Sequence, residues 1–234
     1  MKNYCNLLGA MAAASTLMVG NASAQTAYTL HTGYSNEYLW RGQNLGNDLV
    51  EAGVDVAGKA YGLDLSAGAW YGSFSKAGAN QEELDLYGEV AKDFGFVKGS
   101  IGYIAYTYPN STNSTYEEVY FGLARTFGYV DTSLKYFWDV KGDNNGYTEL
   151  ALGHSFELSP CLSLGLSTNV GYQIEKGQFT AWTSKVSLDW GFAEHAKLSP
   201  FVSLAVAMSD DNDVPAYYHS GNELVGGTML SVTF

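Results

Sequence analysis

Apolar and polar residues alternate along most of this chain, in stretches of about 10 to 14 residues separated by clusters of Gly, Asn, Asp and Ser. A period of two residues is the signature of a β-strand with two different faces, whereas helix-period patterns are almost absent. The pattern predicts twelve strands, which are Ala27–Trp40, Asp48–Gly58, Gly62–Phe74, Glu82–Ala91, Phe96–Tyr108, Thr115–Thr126, Val130–Asp139, Tyr147–Glu157, Cys161–Gln173, Phe179–Trp190, Leu198–Ser209 and Glu223–Phe234.

The connections between these stretches fall into two alternating kinds. Polar segments such as "RGQNLGN", "SKAGANQ" and "DDNDVPAYYHSGN" alternate with tighter links such as "KAY", "KDFG", "FGY" and "LSP". Outer-membrane barrels carry long loops at one end and short periplasmic turns at the other, and their strands need about 9–11 residues to cross the membrane. The sequence therefore predicts an all-β chain, folded as one antiparallel up-and-down transmembrane β-barrel of about twelve strands, with ten or fourteen as alternatives.

The first 24 residues have the pattern of a secretory signal peptide. Lys2 precedes a small apolar stretch, Leu7–Gly20, and Ala22-Ser23-Ala24 fits an A-x-A cleavage site. The apolar stretch is too short for a membrane helix, which requires about 20 residues. We expect cleavage after Ala24, export to the bacterial outer membrane, and a barrel domain over residues 25–234.

Aromatic residues are abundant, with 18 Tyr, 11 Phe and 5 Trp in 234 residues. Trp182 and Trp190 share one parity, and their spacing corresponds to roughly 20 Å along the membrane normal, against an apolar band about 25 Å tall. Rings at the two ends of one lipid-facing row are typical of membrane interfaces, although aromatic packing in a soluble sandwich is the alternative. The residues predicted to lie at the interfaces with outer-membrane lipid are Trp40, Trp138, Trp182, Trp190 and Phe234.

The last stretch, "TMLSVTF", is predicted to close the barrel against the strand that begins near Ala27. Such closure removes both sheet edges, which a membrane sheet cannot leave open. A terminal aromatic such as Phe234 also resembles the signal that outer-membrane barrels present to their assembly machinery. We therefore expect that machinery to be a partner of the last strand.

Charged residues concentrate on the opposite parity. The chain has 24 acidic against 12 basic residues, a formal net charge of −12, which disfavours nucleic acid as a partner. The residues predicted to line a pore are Glu51, Asp55, Glu83, Asp85, Glu89, Glu118, Lys135, Glu149, Lys185 and Asp189. An excess of carboxylates around a water-filled lumen favours cations. Tyr87, Tyr120 and Phe137 share this parity and could block the lumen, so a plugged, salt-bridged interior is the alternative.

No pattern of catalytic or metal-binding residues stands out. His154 and Ser155 are adjacent on a predicted strand, so their side chains point to opposite faces. The acidic run from Asp210 to Glu223 lacks the spacing of a dedicated calcium loop. We expect no enzyme, no cofactor and no metal site, and a lipid-modifying enzyme ranks last among the functions considered.

Five stretches, "GYSNEYLWRG", "GLDLSAGAWYGSF", "EELDLYGEV", "GYIAYTYP" and "TYEEVYFGLA", resemble the Gcw_chp family of exported bacterial proteins over roughly Gly33 to Asp139. The resemblance includes an S-x-x-Y-x-x-R-G start and a Y-x-Y-P turn, and it implies an outer-membrane barrel without a settled activity. The leading expectation is a small passive channel for hydrophilic solutes with a weak cation preference. A closed structural or adhesive barrel that acts through its extracellular loops is the alternative.

Overall fold

The computed structural model describes residues 26–110, 115–142, 146–208 and 221–234. The predicted signal peptide and most of the acidic run that follows Ser209 lie outside the described residues, so both stay predictions.

The described residues form twelve β-strands and no helix. The strands are β1 Ala27–Trp40, β2 Gln43–Ala60, β3 Leu63–Lys76, β4 Ala79–Asp93, β5 Lys98–Thr107, β6 Thr115–Phe127, β7 Val130–Asp139, β8 Tyr147–Ser159, β9 Leu162–Gln173, β10 Gln178–Gly191, β11 Ala196–Ala207 and β12 Glu223–Thr233. Each strand pairs antiparallel with its neighbour in sequence, and β1 pairs with β12 to close the barrel. The predicted fold and strand number are confirmed.

Backbone hydrogen bonds join β1 and β12 as far as Phe234, and we call this pairing the seam. The backbone N–H of Phe234 donates to the carbonyl of Tyr28 at 2.8 Å, and the N–H of Tyr28 donates to the carbonyl of Phe234 at 3.2 Å. Farther along, the hydroxyls of Thr29 and Thr233 lie 3.0 Å apart. The predicted closure of the last strand against the first is therefore confirmed.

Two of the loops predicted to be long are tight turns instead. β2 begins at Gln43 and not at Asp48, so "RGQNLGN" forms strand ends around the two-residue turn Arg41–Gly42. In the same way "SKAGANQ" surrounds the turn Ala77–Gly78. All four turn residues have a positive φ, between 50° and 80°, which matches the type I′ turns that fit the twist of a hairpin. Polar residues mark these segments as loops in sequence, yet their backbones continue the ladder.

The two faces of the sheet are sorted as a membrane barrel requires. Large apolar side chains such as Leu86, Val186 and Leu204 are exposed on the outside, whereas Glu51, Glu83 and Glu149 are buried on the inside. This arrangement reverses that of a soluble barrel, because lipid solvates the outer face. Among the described residues, no helix is long and apolar enough to cross a membrane.

Candidate functional site

The barrel interior holds all ten residues predicted to line a pore, and each is buried or half-buried. Glu83 is 1% exposed, and Glu51, Glu149 and Asp55 are 5%, 6% and 7% exposed. Parity alone thus placed these side chains on the correct face. Their role as the lining of an open pore stays a prediction, since residues that line a wide water-filled channel would be more exposed.

Tyrosine hydroxyls satisfy most of the inward carboxylates. The five donor and acceptor pairs are Tyr87 and Asp55 at 2.6 Å, Tyr106 and Glu118 at 2.9 Å, Tyr108 and Glu83 at 3.0 Å, Tyr120 and Glu89 at 3.0 Å, and Tyr147 and Glu149 at 3.4 Å. Hydrogen bonds to ionised acceptors are stronger than those between neutral groups. The inward rings therefore do more than fill space, because they hold each carboxylate in one position.

Basic side chains and one indole complete this network. Lys135 Nζ lies 4.0 Å from Glu89 Oε2, and the indole Nε1 of Trp70 donates to Glu51 Oε2 at 2.5 Å. His31 Nε2 lies 3.3 Å from Asp55 Oδ2. Donors from other strands thus reach several of the inward carboxylates, among them Glu51, Asp55 and Glu89. The partners could not be read from the sequence, because they depend on the pairing register and not on the parity of one strand.

Glycines opposite the inward rings make room for them. Gly68 pairs with Tyr87 across β3 and β4, and Gly102 pairs with Tyr120 across β5 and β6. A Cβ atom built on Gly102 would overlap the Tyr120 ring, and one on Gly68 would crowd the Tyr87 ring. The bare backbone lets each ring lie over the neighbouring strand while its hydroxyl reaches a carboxylate.

The turn between β1 and β2 folds into the barrel. We call residues 40–46 the hairpin tip. Arg41 within it donates from both terminal nitrogens to the carboxylate of Glu118 on β6, at 2.8 and 2.7 Å. Its guanidinium carbon also lies 4.3 Å from the centre of the Phe137 ring on β7 and 4.4 Å from that of Tyr147 on β8. In the closed order of twelve strands β6–β8 lie opposite β1, so the Arg41 side chain crosses the lumen.

Trp40 lies inside the barrel and not at the membrane interface, which corrects the prediction. Its ring centre lies 6.0 Å from that of Tyr106, and it packs against the buried cluster of Tyr38, Leu49 and Phe74. The pairing of β1 with β2 shifts between Tyr38 and Leu39. Tyr38 shares the parity of Trp40 and is already buried before this shift, so alternation fails because the end of the hairpin folds into the barrel.

The other aromatic residues predicted at the interfaces lie on the outer surface. Trp138, Trp182, Trp190 and Phe234 are all exposed there. Their face agrees with the prediction, and their contact with lipid headgroups stays a prediction.

His154 is placed against Phe156, with ring centres 4.3 Å apart. Among the described residues no group of three or more His, Cys, Asp or Glu side chains is arranged to hold a metal ion.

The fold defines a class: the chain is a closed, twelve-stranded β-barrel, and similar solved structures are outer-membrane barrels. Over 94% of its length it superposes on the whole of the COG4313 outer membrane channel from Pseudomonas putida F1, with a TM-score of 0.59 and 10% identity. It covers 98% of the NanC porin with 88% of its own length, at a TM-score of 0.53 and 11% identity. It covers 99% of the KdgM porin, solved in complex with disordered oligogalacturonate, with 89% of its own length, at a TM-score of 0.52 and 8% identity.

The chain belongs to the Gcw_chp family, described as a bacterial protein of unknown function, which matches residues 20–232. The family therefore extends well beyond the motifs recognised between Gly33 and Asp139. No curated protein matches the sequence.

Proposed function

We propose that this protein is an outer-membrane channel of small bore, which passes small hydrophilic solutes with a weak preference for cations. The observation that carries the proposal is the negative net charge of the side chains on the inner wall. The predicted lining residues include eight carboxylates, and the bases among or beside them include Arg41, Lys135, Lys185 and Lys197, the last of which lies near Asp189. A wall of this kind in a low-dielectric barrel attracts cations and repels anions.

The porin fold of the solved structures supports a channel in general, and the inner wall narrows the class of solute. The KdgM structure was solved with oligogalacturonate, a polyanionic sugar. Glu51, Glu83 and Glu149 line the interior here, so a polyanion would meet repulsion along its path. We therefore propose neutral or cationic small solutes for this chain.

Reversal potentials across planar lipid bilayers test the proposal. Purified, refolded protein in a potassium chloride gradient should give discrete conductance steps and a reversal potential that favours potassium. Glu149→Gln should weaken that preference, whereas Glu175→Gln, an exposed residue between β9 and β10, should leave it unchanged. A barrel that prefers chloride, or that never conducts, would contradict the proposal.

A closed structural barrel is the second candidate, and the packing of the interior favours it. Glu83 is 1% exposed, and Arg41 crosses the lumen to reach Glu118. Absence of conductance in both wild type and a variant that frees the hairpin tip would support this candidate over the channel. The acidic segment of the sequence between Met208 and Gly221 would then be the first to delete in a test of adhesion.

A further inference from the structure

We propose that the hairpin tip, residues 40–46, is a gate across the lumen, and that the bond between Arg41 and Glu118 holds it shut. The inference rests on the proposed channel function and names the element that regulates it.

The register shows that the tip is separate from the barrel wall. β12 pairs with β1 only as far as Ser35, which faces Gly227. On the other side β3 pairs with β2 only from Asn47 onward. Between these points the tip pairs within its own hairpin, through Trp40 with Gln43 and Leu39 with Asn44. A segment without ladder bonds to its neighbours can move while the barrel stays closed.

Irregular backbone marks both sides of its base. On β1 the pairing shifts between Tyr38 and Leu39, and on β2 it shifts between Asn47 and Val50. Within the second shift Asp48 adopts a φ of 54°, a region that residues other than glycine seldom occupy. Moving hairpins turn about a few positions that absorb changes in backbone angle, and these two positions are placed to do so.

The closed position depends on side-chain contacts with the far wall. The side chains of Arg41 and Glu118 are 8% and 12% exposed, and Tyr106 donates a further hydrogen bond to Glu118 at 2.9 Å. A bidentate arginine–carboxylate bond of this kind is both strong and specific in geometry. If one partner is removed, the other becomes a buried charge without its counterion, which strongly disfavours the closed position.

One contact of the closed tip is also unfavourable. Gln43 is 3% exposed, and its Nε2 atom has no hydrogen-bond partner. A buried donor without an acceptor opposes the state that buries it. Burial of Gln43 thus favours opening while the bond between Arg41 and Glu118 favours closure, which is the balance a two-state element requires.

Two variants and one control test the gate. Glu118→Gln removes the countercharge, and Arg41→Gln removes the bidentate donor. Arg125→Gln alters the chain's other arginine, which is exposed and packs over Phe127 at the opposite end of the barrel. Each protein is checked for folding by its heat-dependent shift in gel mobility. Hydrogen exchange of the tip peptide in micelles and conductance in planar bilayers are then measured.

Both gate variants should speed hydrogen exchange of the tip roughly tenfold or more, and should raise the open fraction of the channel by a similar factor. The double variant should show no faster exchange and no larger open fraction than either single variant, because it leaves neither charge buried without its counterion. Arg125→Gln should match wild type. Unchanged exchange and conductance in a conducting barrel would overturn the gate alone. Faster exchange without conductance in any variant would overturn the channel function, and the gate with it.

Discussion

Replacing Gly102 with alanine adds one methyl group where the Tyr120 ring already lies. Gly102 pairs with Tyr120 across β5 and β6, and a Cβ atom at this position would overlap the ring. The ring cannot move freely, because its centre lies 5.4 Å from that of Phe137 and its hydroxyl donates to Glu89 at 3.0 Å. The substitution therefore tests whether the glycine is there to seat the ring.

The expected magnitude follows from three contributions. Overpacking a well-filled site costs about 1–3 kcal/mol, and weakening a hydrogen bond to a charged acceptor costs up to about 1.5–3 kcal/mol. Against these, alanine in a strand interior is more favourable than glycine by about 0.5–1 kcal/mol. Together these contributions should lower the free energy of unfolding of Gly102→Ala by about 1.5–5.5 kcal/mol.

Gly226→Ala is the matched control. It makes the same chemical change within strand β12, and a Cβ atom there would meet nothing within 4 Å. Unfolding in denaturant, with the barrel in lipid vesicles and tryptophan fluorescence as the signal, gives both free energies. Gly226→Ala should be neutral or stabilising by up to about 1 kcal/mol. Equal free energies for the two variants would refute the proposed role of Gly102.

Two further predictions concern the outer face and the seam. Val186→Arg places a charge on the exposed outer face of β10 and should destabilise the barrel in vesicles by about 2–4 kcal/mol. Tyr61→Arg, in the exposed turn between β2 and β3, should change the free energy of unfolding little. Equal effects of the two variants would argue against lipid contact at Val186. Phe234→Ala should reduce the amount of heat-modifiable barrel assembled in the outer membrane, and Phe234→Tyr should restore it. Full assembly of the alanine variant would remove the basis for assembly machinery as a partner of Phe234.

Alternation in the sequence was sufficient to predict the barrel. β1 begins and ends at the predicted residues, Ala27 and Trp40, and the strand number is the predicted twelve. The period of two survives in sequence because each strand separates lipid from the interior along its whole length. For the same reason the inward parity of Glu83 and Glu149 was predictable from one strand at a time.

The hairpin tip was not predictable from the same pattern. Its polar residues, "RGQNLGN", are typical of a loop. Nothing in this stretch shows that Arg41 binds Glu118, which lies 77 positions away in sequence. Tyr38 and Trp40 share the parity that had assigned Trp40 to the membrane, yet both lie inside the barrel, because this end of the hairpin extends beyond the pairing with β12 and folds inward. Bulges and contacts across the lumen depend on the register between strands, which the periodicity of a single strand does not reveal.

The seam has a consequence for the order in which the barrel is built. Among the described strands each pairing joins consecutive strands except that of β1 with β12, which brings together Thr29 and Thr233 across 204 positions. Pairings between distant residues form late, because the intervening chain must be ordered first. A circular permutant opened between Tyr61 and Gly62, with Phe234 linked to Thr26, would preserve every strand pair. It would turn β1 and β12 into a local hairpin and make β2 and β3 the last to meet, so the same barrel would be reached by a different route.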